Sequence, residues 1–191
     1  MAKVRKPYPY LNQKTRPISL KEFKSRISYD PTTGIFKWAA RVGSQGRVSR
    51  RAGKVAGCVN KLVGYVFLGV RGRIGLGHMW AWFYITGKWP RHEIDHRNRV
   101  RHDNRWKNLR KATRVQNCHN ATIRSDNTSG FKGVGLHKQT GKWRARITAK
   151  RKTTNLGLFD TANEAAAAYV LEANRLHGMF ATHANKADAR L

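Results

Sequence analysis

What this 191-residue sequence lacks narrows it first. Acidic side chains are scarce: 10 Asp and Glu stand against 39 Lys and Arg, a formal net charge of +29, and no carboxylate side chain occurs between Pro31 and His92. A surface this one-sided repels itself and seeks polyanions. Cysteine is nearly absent as well. Cys58 and Cys118 are the only two and form no Cys-x-x-Cys, which excludes a four-cysteine zinc knuckle and any disulfide framework. Long apolar runs are missing too: the longest, Met79–Thr86, falls far short of the ~20 residues that span a bilayer. A membrane is therefore not the expected polyanion. No apolar segment of the signal-peptide kind follows the basic start Met1–Lys6, so an intracellular protein is expected.

What is present is enough apolar mass to fold. The chain is 40% hydrophobic and 10% aromatic with six Trp, unlike a basic tail that stays disordered until bound. Its length allows one domain or two or three small modules, and a single large core is not expected. The composition thus reads as folded modules on nucleic acid.

Along the chain, 1–18 is basic, bears Pro and Tyr and has no apolar periodicity, so it reads as a flexible arm. Ser19-x-x-Glu22 is a capping box ahead of a short helix with Leu20, Phe23 and Ile27 on one face. "YDPTTG" (29–34) marks a turn and Ile35–Trp38 a strand. "RVGSQGRVSRRAGKVAG" (41–57) is a basic, Gly-rich excursion, either over a phosphate backbone or in solvent. Leu62–Val70 and Ile74–Leu76 read as strands joined at the tight turn 71–73, and His78–Thr86 as a buried helix ending at Gly87. The 19–75 stretch is a β-rich, DNA-binding segment on this reading.

Beyond a polar, turn-rich linker at 123–130, a strand of period two follows. Trp143, Ala145, Ile147 and Ala149 alternate with Arg144, Arg146, Thr148 and Lys150, giving one apolar and one mainly cationic face. Such a strand can sit between a helix and DNA. Thr161-x-x-Glu164 caps an Ala-rich helix that runs to His177 and stops at Gly178.

"HEIDH" (92–96) matches a zinc-protease signature on paper. That chemistry needs both His on one helix face. Pro90 stands just before, and Ile94 and Val100 are the only apolar residues from Arg91 to Arg105, so no amphipathic stripe can bury such a helix. Arg99 also occupies the place where the third-His extension needs Gly. The protease reading fails.

A longer pattern starts inside the same stretch. "DHRNRVRHDNRWKNLRKATRVQNCHN" (95–120) has a carboxylate and an imidazole ending a strand, an Arg-rich loop, a return strand in "NLRKAT", and Thr113-x-x-Gln116 opening a helix with Asn117 and Asn120. It resembles the HNH nuclease family in the Asn-ending variant typical of homing endonucleases, at Asp95-His96, Asp103-Asn104-Arg105, Asn108-Leu109-Arg110, Thr113, Gln116-Asn117 and Asn120. Residue types suit phosphodiester hydrolysis. His96 can deprotonate water, and Asp95 and the Asn117 amide oxygen are hard donors for one Mg²⁺ or Mn²⁺. The resemblance implies the same roles, and a structural one for Asn108 in pinning the loop that aims His96. His78 resembles the His opening an HxxxW segment before the motif, as a structural residue or a DNA contact; His119 reads as a bystander. Arg97, Arg99, Arg101, Arg105, Lys107, Arg110, Lys111 and Arg114 are too dense to pair with Asp103 alone and are expected to grip phosphates.

Residues 129–185 resemble the DNA-binding domain of ethylene-response-factor (APETALA) type, through "SGFKGV", "GKWRARI", "LGLF", "EAAAAY" and "LHGMFATHAN". This implies a three-stranded sheet packed on one helix, its face entering the major groove. Lys132 and Gly133 match contact positions; His137, Arg146 and Thr153 are changed ones; Arg144 and Lys150 join from the alternation. Gly135 and Thr148 stand where that family has Arg, so its target sequence does not carry over. Trp143 is either core between sheet and helix or a base-stacking ring.

The expected fold class is α+β, a ββα-metal nuclease core flanked by small β-rich DNA-binding modules, with divisions at 1–18, 19–75, 76–122, 123–130 and 131–191. The expected activity is metal-dependent cleavage of double-stranded DNA at a specific site, with no protein partner called for. The resemblance places it in the cytoplasm of a bacterial or phage-infected host. A non-catalytic DNA-binding regulator with a degenerate nuclease core is the rival, and an RNA-binding protein fits the charge but not the motifs.

Overall fold

A computed structural model describes residues 18–40, 48–121, 123, 126–149 and 152–181; the expected arm (apart from Ile18) and Lys150 lie outside them. The chain divides into two compact units, Met1–Thr113 and Arg114–Leu191.

In the first unit, the Ser19 hydroxyl accepts from the Glu22 amide (3.1 Å) and opens α1, Leu20–Lys24. The helix stops before Ile27, which the helical spacing had placed on its face. Ser25 Oγ donates to the Glu22 carbonyl (2.8 Å) and the Arg26 amide to Phe23 O (3.0 Å), closing the last turn, and Ile27 enters β1, Ile27–Tyr29, opposite Trp38 of β2, Phe36–Trp38. The Asp30 carboxylate organises the hairpin turn by accepting from the Thr32 amide and the Thr33 hydroxyl, both at 2.8 Å.

The second sheet has the order β3 (Cys58–Val59), β4 (Val66–Val70), β5 (Arg73–Leu76). Its middle strand begins later than the apolar run from Leu62 predicts. Asn60 Oδ1 accepts from the Leu62 and Val63 amides (3.0 and 3.3 Å) and folds those residues into a turn. Arg71 and Gly72 both take positive φ (52° and 74°), the two-residue hairpin that suits strand twist. α2, Gly77–Thr86, ends as expected at left-handed Gly87, whose amide donates to Phe83 O.

α2 buries Met79, Trp80, Ala81 and Phe83, and a helix apolar around its girth needs cover on every side. α1, the first hairpin and β4 supply it. Phe23 stacks on Trp80 (4.5 Å between centroids), Phe83 on Trp89 (4.6 Å) and Tyr29 on Phe36 (4.8 Å). One core runs from Ile18 through Phe36, Leu68 and Trp80 to Ile94 and Leu109. Residues on both sides of the division expected at 75/76 contribute to this core, and the second unit has clusters of its own.

The second unit begins with α3, Arg114–Asn120. Its sheet has the order β10 (Lys152–Phe159), β9 (Lys142–Ala149), β8 (Val134–His137), and α4 spans Ala162–His177. The Thr161/Glu164 capping box closes reciprocally at 3.2 and 3.1 Å, and Gly178 caps the other end. Central β9 carries the expected alternation: Ala145 and Ile147 are buried in clusters with Ala165, Tyr169 and Ala173, and Arg146 and Thr148 are exposed. Trp143 is half-buried against Val134 and Ala165, so it is core. Small antiparallel sheets with few helices make a mixed architecture compatible with the α+β class. Among the described residues no helix is long and apolar enough to cross a membrane.

Candidate functional site

"HEIDH" is not helical. β6, Glu93–His96, pairs antiparallel with β7, Leu109–Ala112, in a register that sets Asp95 opposite Arg110 and His96 opposite Leu109. Glu93 is half-buried and Ile94, Asp95 and His96 are buried. A polar pair enclosed this way needs partners.

Asp95 finds Arg110. The guanidinium donates through Nε and a terminal nitrogen to Asp95 Oδ2, both at 2.7 Å, with each side chain at most 7% exposed. The cross-strand register delivers this ion pair. Arg110, expected to grip phosphate, is buried in this ion pair.

His96 lies among rings and amides. His78, buried at the start of α2, meets it edge-on at 5.0 Å, and the Tyr65 ring is 6.0 Å away. Burial pulls both imidazoles below their ordinary pKa, His78 far below. For His96 the pull is opposed by Asn104 and by the Asp95 and Asp103 charges. Both rings are therefore neutral at pH 7, the state a general base requires. Asn104 Oδ1 stands 3.4 Å from His96 Nε2. A hydrogen on Nε2 would be donated to that amide oxygen.

The loop from Arg97 to Arg105 is tied down residue by residue. Asn108, ending the short 3₁₀ turn Trp106–Asn108, accepts from the Asn98 amide (3.0 Å) and donates to Asn98 Oδ1 (2.9 Å) and Asp103 O (2.8 Å). Asp103 in turn accepts from Asn98 Nδ2 (2.6 Å) and from Arg105 through its Nε (2.8 Å) and a terminal nitrogen (2.5 Å). The Arg105 hydrogen bond is the main reason the Asp103 carboxyl falls to about 2. Arg99 takes a left-handed conformation (φ 66°), so an Arg fills a backbone position that favours Gly.

Contacts from the N-terminal hairpin buttress this loop. The Tyr29 hydroxyl donates to Asn104 O (2.6 Å) and the Trp106 amide to Pro31 O (2.9 Å). A Cβ on Gly34 would lie 2.5 Å from Arg105 N, and one on Gly77 2.6 Å from Asn104 Nδ2, so two glycines are set by close approach to the loop. Arg101 reaches Val63 O (3.1 Å) and lies over Tyr65 (5.2 Å). Sequence reasoning gave no role to Asn104, Tyr29 or Tyr65. Asn104 stood only as a pattern position, and asparagine, usually exposed, gives no warning that it will be buried.

Of the expected phosphate-gripping residues, Arg97 and Lys107 are exposed, and Arg105 is partly exposed while bound to Asp103. Lys111 lies over the Trp82 ring at 5.5 Å.

Asn117 is half-buried on α3 of the second unit. In that unit Lys132, expected at DNA, donates to the His119 and Ala121 carbonyls (2.7 and 2.9 Å) at the end of α3, as a C-terminal cation does. His119, expected to be a bystander, stacks on His177 at 3.6 Å. Gly133 is fixed by packing: a Cβ there would come within 2.3 Å of the Tyr169 ring. Arg146 is exposed opposite Asn155, and Arg144, half-buried, lies between Gly135 and Leu158.

Residues 76–119 match the family model described as HNH endonuclease. That stretch, under a quarter of the chain, runs from Leu76 through β6 and β7 into α3, and the match implies a nuclease, in general a DNA hydrolase, with DNA as substrate. No curated protein and no solved structure matches the chain.

Proposed function

We propose that this protein is a divalent-metal-dependent DNA endonuclease of the HNH homing type that hydrolyses phosphodiester bonds at a specific duplex site. The observation that carries this reading is the buried His96 next to Asp95, beside a loop held by Asn108, inside the stretch that matches the HNH family.

On this reading His96 is the general base. It takes a proton from water, the water oxygen bonds to phosphorus, and the P–O3′ bond breaks to leave 5′-phosphate and 3′-hydroxyl ends. Asn104 and His78 hold the imidazole in place and water-poor. Asn108 positions the loop without touching the reacting atoms. Among the described residues no three His, Cys, Asp or Glu side chains cluster for a metal. The donor set still suits a hard cation that takes one carboxylate and completes its shell with phosphate and water oxygens. Asp95 would supply the carboxylate, shared with Arg110, and the sequence pattern adds the Asn117 amide oxygen. A bound Mg²⁺ or Mn²⁺ would supply charge stabilisation at the phosphate and the leaving oxygen. Arg97, Arg99 and Arg105 hold neighbouring phosphates, and the β9 face with Arg144 and Arg146 holds the duplex apart from the cut. Lys132 joins them only by giving up its carbonyls.

The ion pair between Asp95 and Arg110 favours a second reading, a DNA-binding regulator whose carboxylate is already neutralised without a cation. Incubating the protein and its His96→Ala variant with supercoiled plasmid and genomic DNA, with Mg²⁺ or Mn²⁺ or EDTA, separates the two. Nicked or linear DNA only with metal and only from the unaltered protein supports the nuclease. Plasmid and genomic DNA retarded but intact, and a library of random sites uncut, sink it in favour of the regulator.

A further inference from the structure

A cavity of about 290 Å³ lies in the first unit, lined by Arg26, Trp38, Ala39, Ser49 and Arg51. None of these residues belongs to the His96 site. Two guanidiniums, a hydroxyl and an indole are an anion-recognising set, since Arg presents forked donors that match phosphate oxygens.

Charge around the cavity is unbalanced. Glu22 is the carboxylate paired with Arg26, at 3.5 Å, and the same oxygen is taken by Arg71. The stretch from Pro31 to His92 offers no carboxylate side chain to neutralise Arg51. Arg26 Nε is buried and has no hydrogen-bond partner among the described residues. That nitrogen is enclosed by protein, so the accessible part of the Arg26 side chain is what faces a ligand.

The walls are built, not incidental. Ala39 N donates to Arg26 O (2.8 Å), Trp38 N to Lys54 O (2.9 Å) and Gly53 N to Trp38 O (2.8 Å), so the turn at 49–54 is bonded to β2. The Arg51 amide donates to Ser49 Oγ (3.3 Å), and its guanidinium lies over the Trp38 ring at 5.5 Å. Ring and turn thus hold Arg51 at the cavity rim.

We infer that this cavity binds one phosphate group, a backbone phosphate of the DNA duplex, with Arg26 and Arg51 donating to its oxygens and Ser49 contributing its hydroxyl. The inference rests on the DNA-binding part of the proposed function and adds an anchor separate from the cutting site. At the small end of ligand-site volumes, the cavity takes a phosphate and part of its sugar, not an extended ligand.

The test measures duplex affinity against salt for the full chain, using a mixed-sequence duplex in EDTA so that cleavage does not enter. Arg51→Gln, at the exposed rim where folding is least at risk, should reduce the log–log salt slope by about 0.9, one phosphate contact. Ser49→Ala, which changes no charge, should weaken binding about 2- to 10-fold with the slope unchanged. Lys61→Gln is the control for general surface charge. Equal slope losses in Arg51→Gln and Lys61→Gln with no response to Ser49→Ala overturn the site while leaving DNA binding intact. Melting temperature in inorganic phosphate against chloride of equal ionic strength is the second arm. Stabilisation lost in Arg51→Gln, together with an unaltered DNA slope, makes the site one for free anions and overturns the DNA assignment. Unaltered protein that retains no duplex overturns both the site and the reading it rests on.

Discussion

The two units of this chain solve opposite problems with opposite materials. The first surrounds a helix of Trp and Phe with aromatic and aliphatic cover, and inside that cover it keeps Asp95, His96, Asn104 and Asn108 out of solvent. The second packs an alanine-rich helix on a sheet through small clusters and turns Arg146 and Thr148 outward. General-base chemistry needs a side chain of known protonation in a held position, which only a dense core provides. Gripping a polyanion needs exposed cations on a stiff support, and a sheet with one helix suffices. On the proposed function, density goes where a proton is to be moved, and openness where charge is to be met.

The sharpest break of this contrast is His96→Ala. Cleavage should fall by about 10²–10⁴-fold, the share of a general base, while duplex affinity stays the same. Plasmid cleavage measured beside retention on gels checks both halves, and a variant that cuts normally removes His96 from the site. Next is the core itself. Trp80→Ala should cost about 3–5 kcal/mol and Gly133→Ala, a positive-φ position against Tyr169, about 1–3 kcal/mol, read by urea denaturation. Equal costs would mean that the second unit is as tightly filled as the first.

Asn108→Ala removes the three hydrogen bonds that tie Asn98 and Asp103, and cleavage should drop about 10²-fold or less with DNA retention unchanged. Loss of retention alongside would make Asn108 a general structural residue. The pH response sharpens the contrast further. His78 and His96 are held below their unfolded value near 6.5, so the folded state binds fewer protons than the unfolded one. Their stabilising share is present above pH 6.5 and is lost as pH falls through the lower, folded values. The acid limb of cleavage should accordingly have its midpoint below 6.5; a midpoint above it would contradict the buried, neutral imidazole. The smallest effect belongs to the sheet: Arg146→Gln should flatten the salt slope of binding by about 0.9 and leave cleavage at saturating DNA unchanged.

Much of the local structure was written in nearest-neighbour chemistry. Ser19, Thr161, Gly87 and Gly178 set helix ends because a hydroxyl reaches an amide three residues on and a glycine accepts a positive φ. The alternation from Trp143 to Ala149 became a strand for the same local reason, that successive side chains leave a pleat on opposite faces. Where a single side chain competes with the apolar pattern, the pattern misleads: Asn60 bends Leu62 out of the strand, and Ser25 ends α1 before Ile27.

By itself, then, the sequence determined the cationic character, the caps and turns, and the recognisable order of Asp95, His96, Asn108 and Asn117, because charge and short-range hydrogen bonding depend only on residues near in the chain. Tertiary structure alone decided that Arg110 pairs with Asp95 in the interior, that Asn104 and His78 enclose His96, and that Tyr29 and Gly34 support a loop some seventy residues away. Those outcomes turn on which distant side chains share a buried space, and burial is a property of the packed whole.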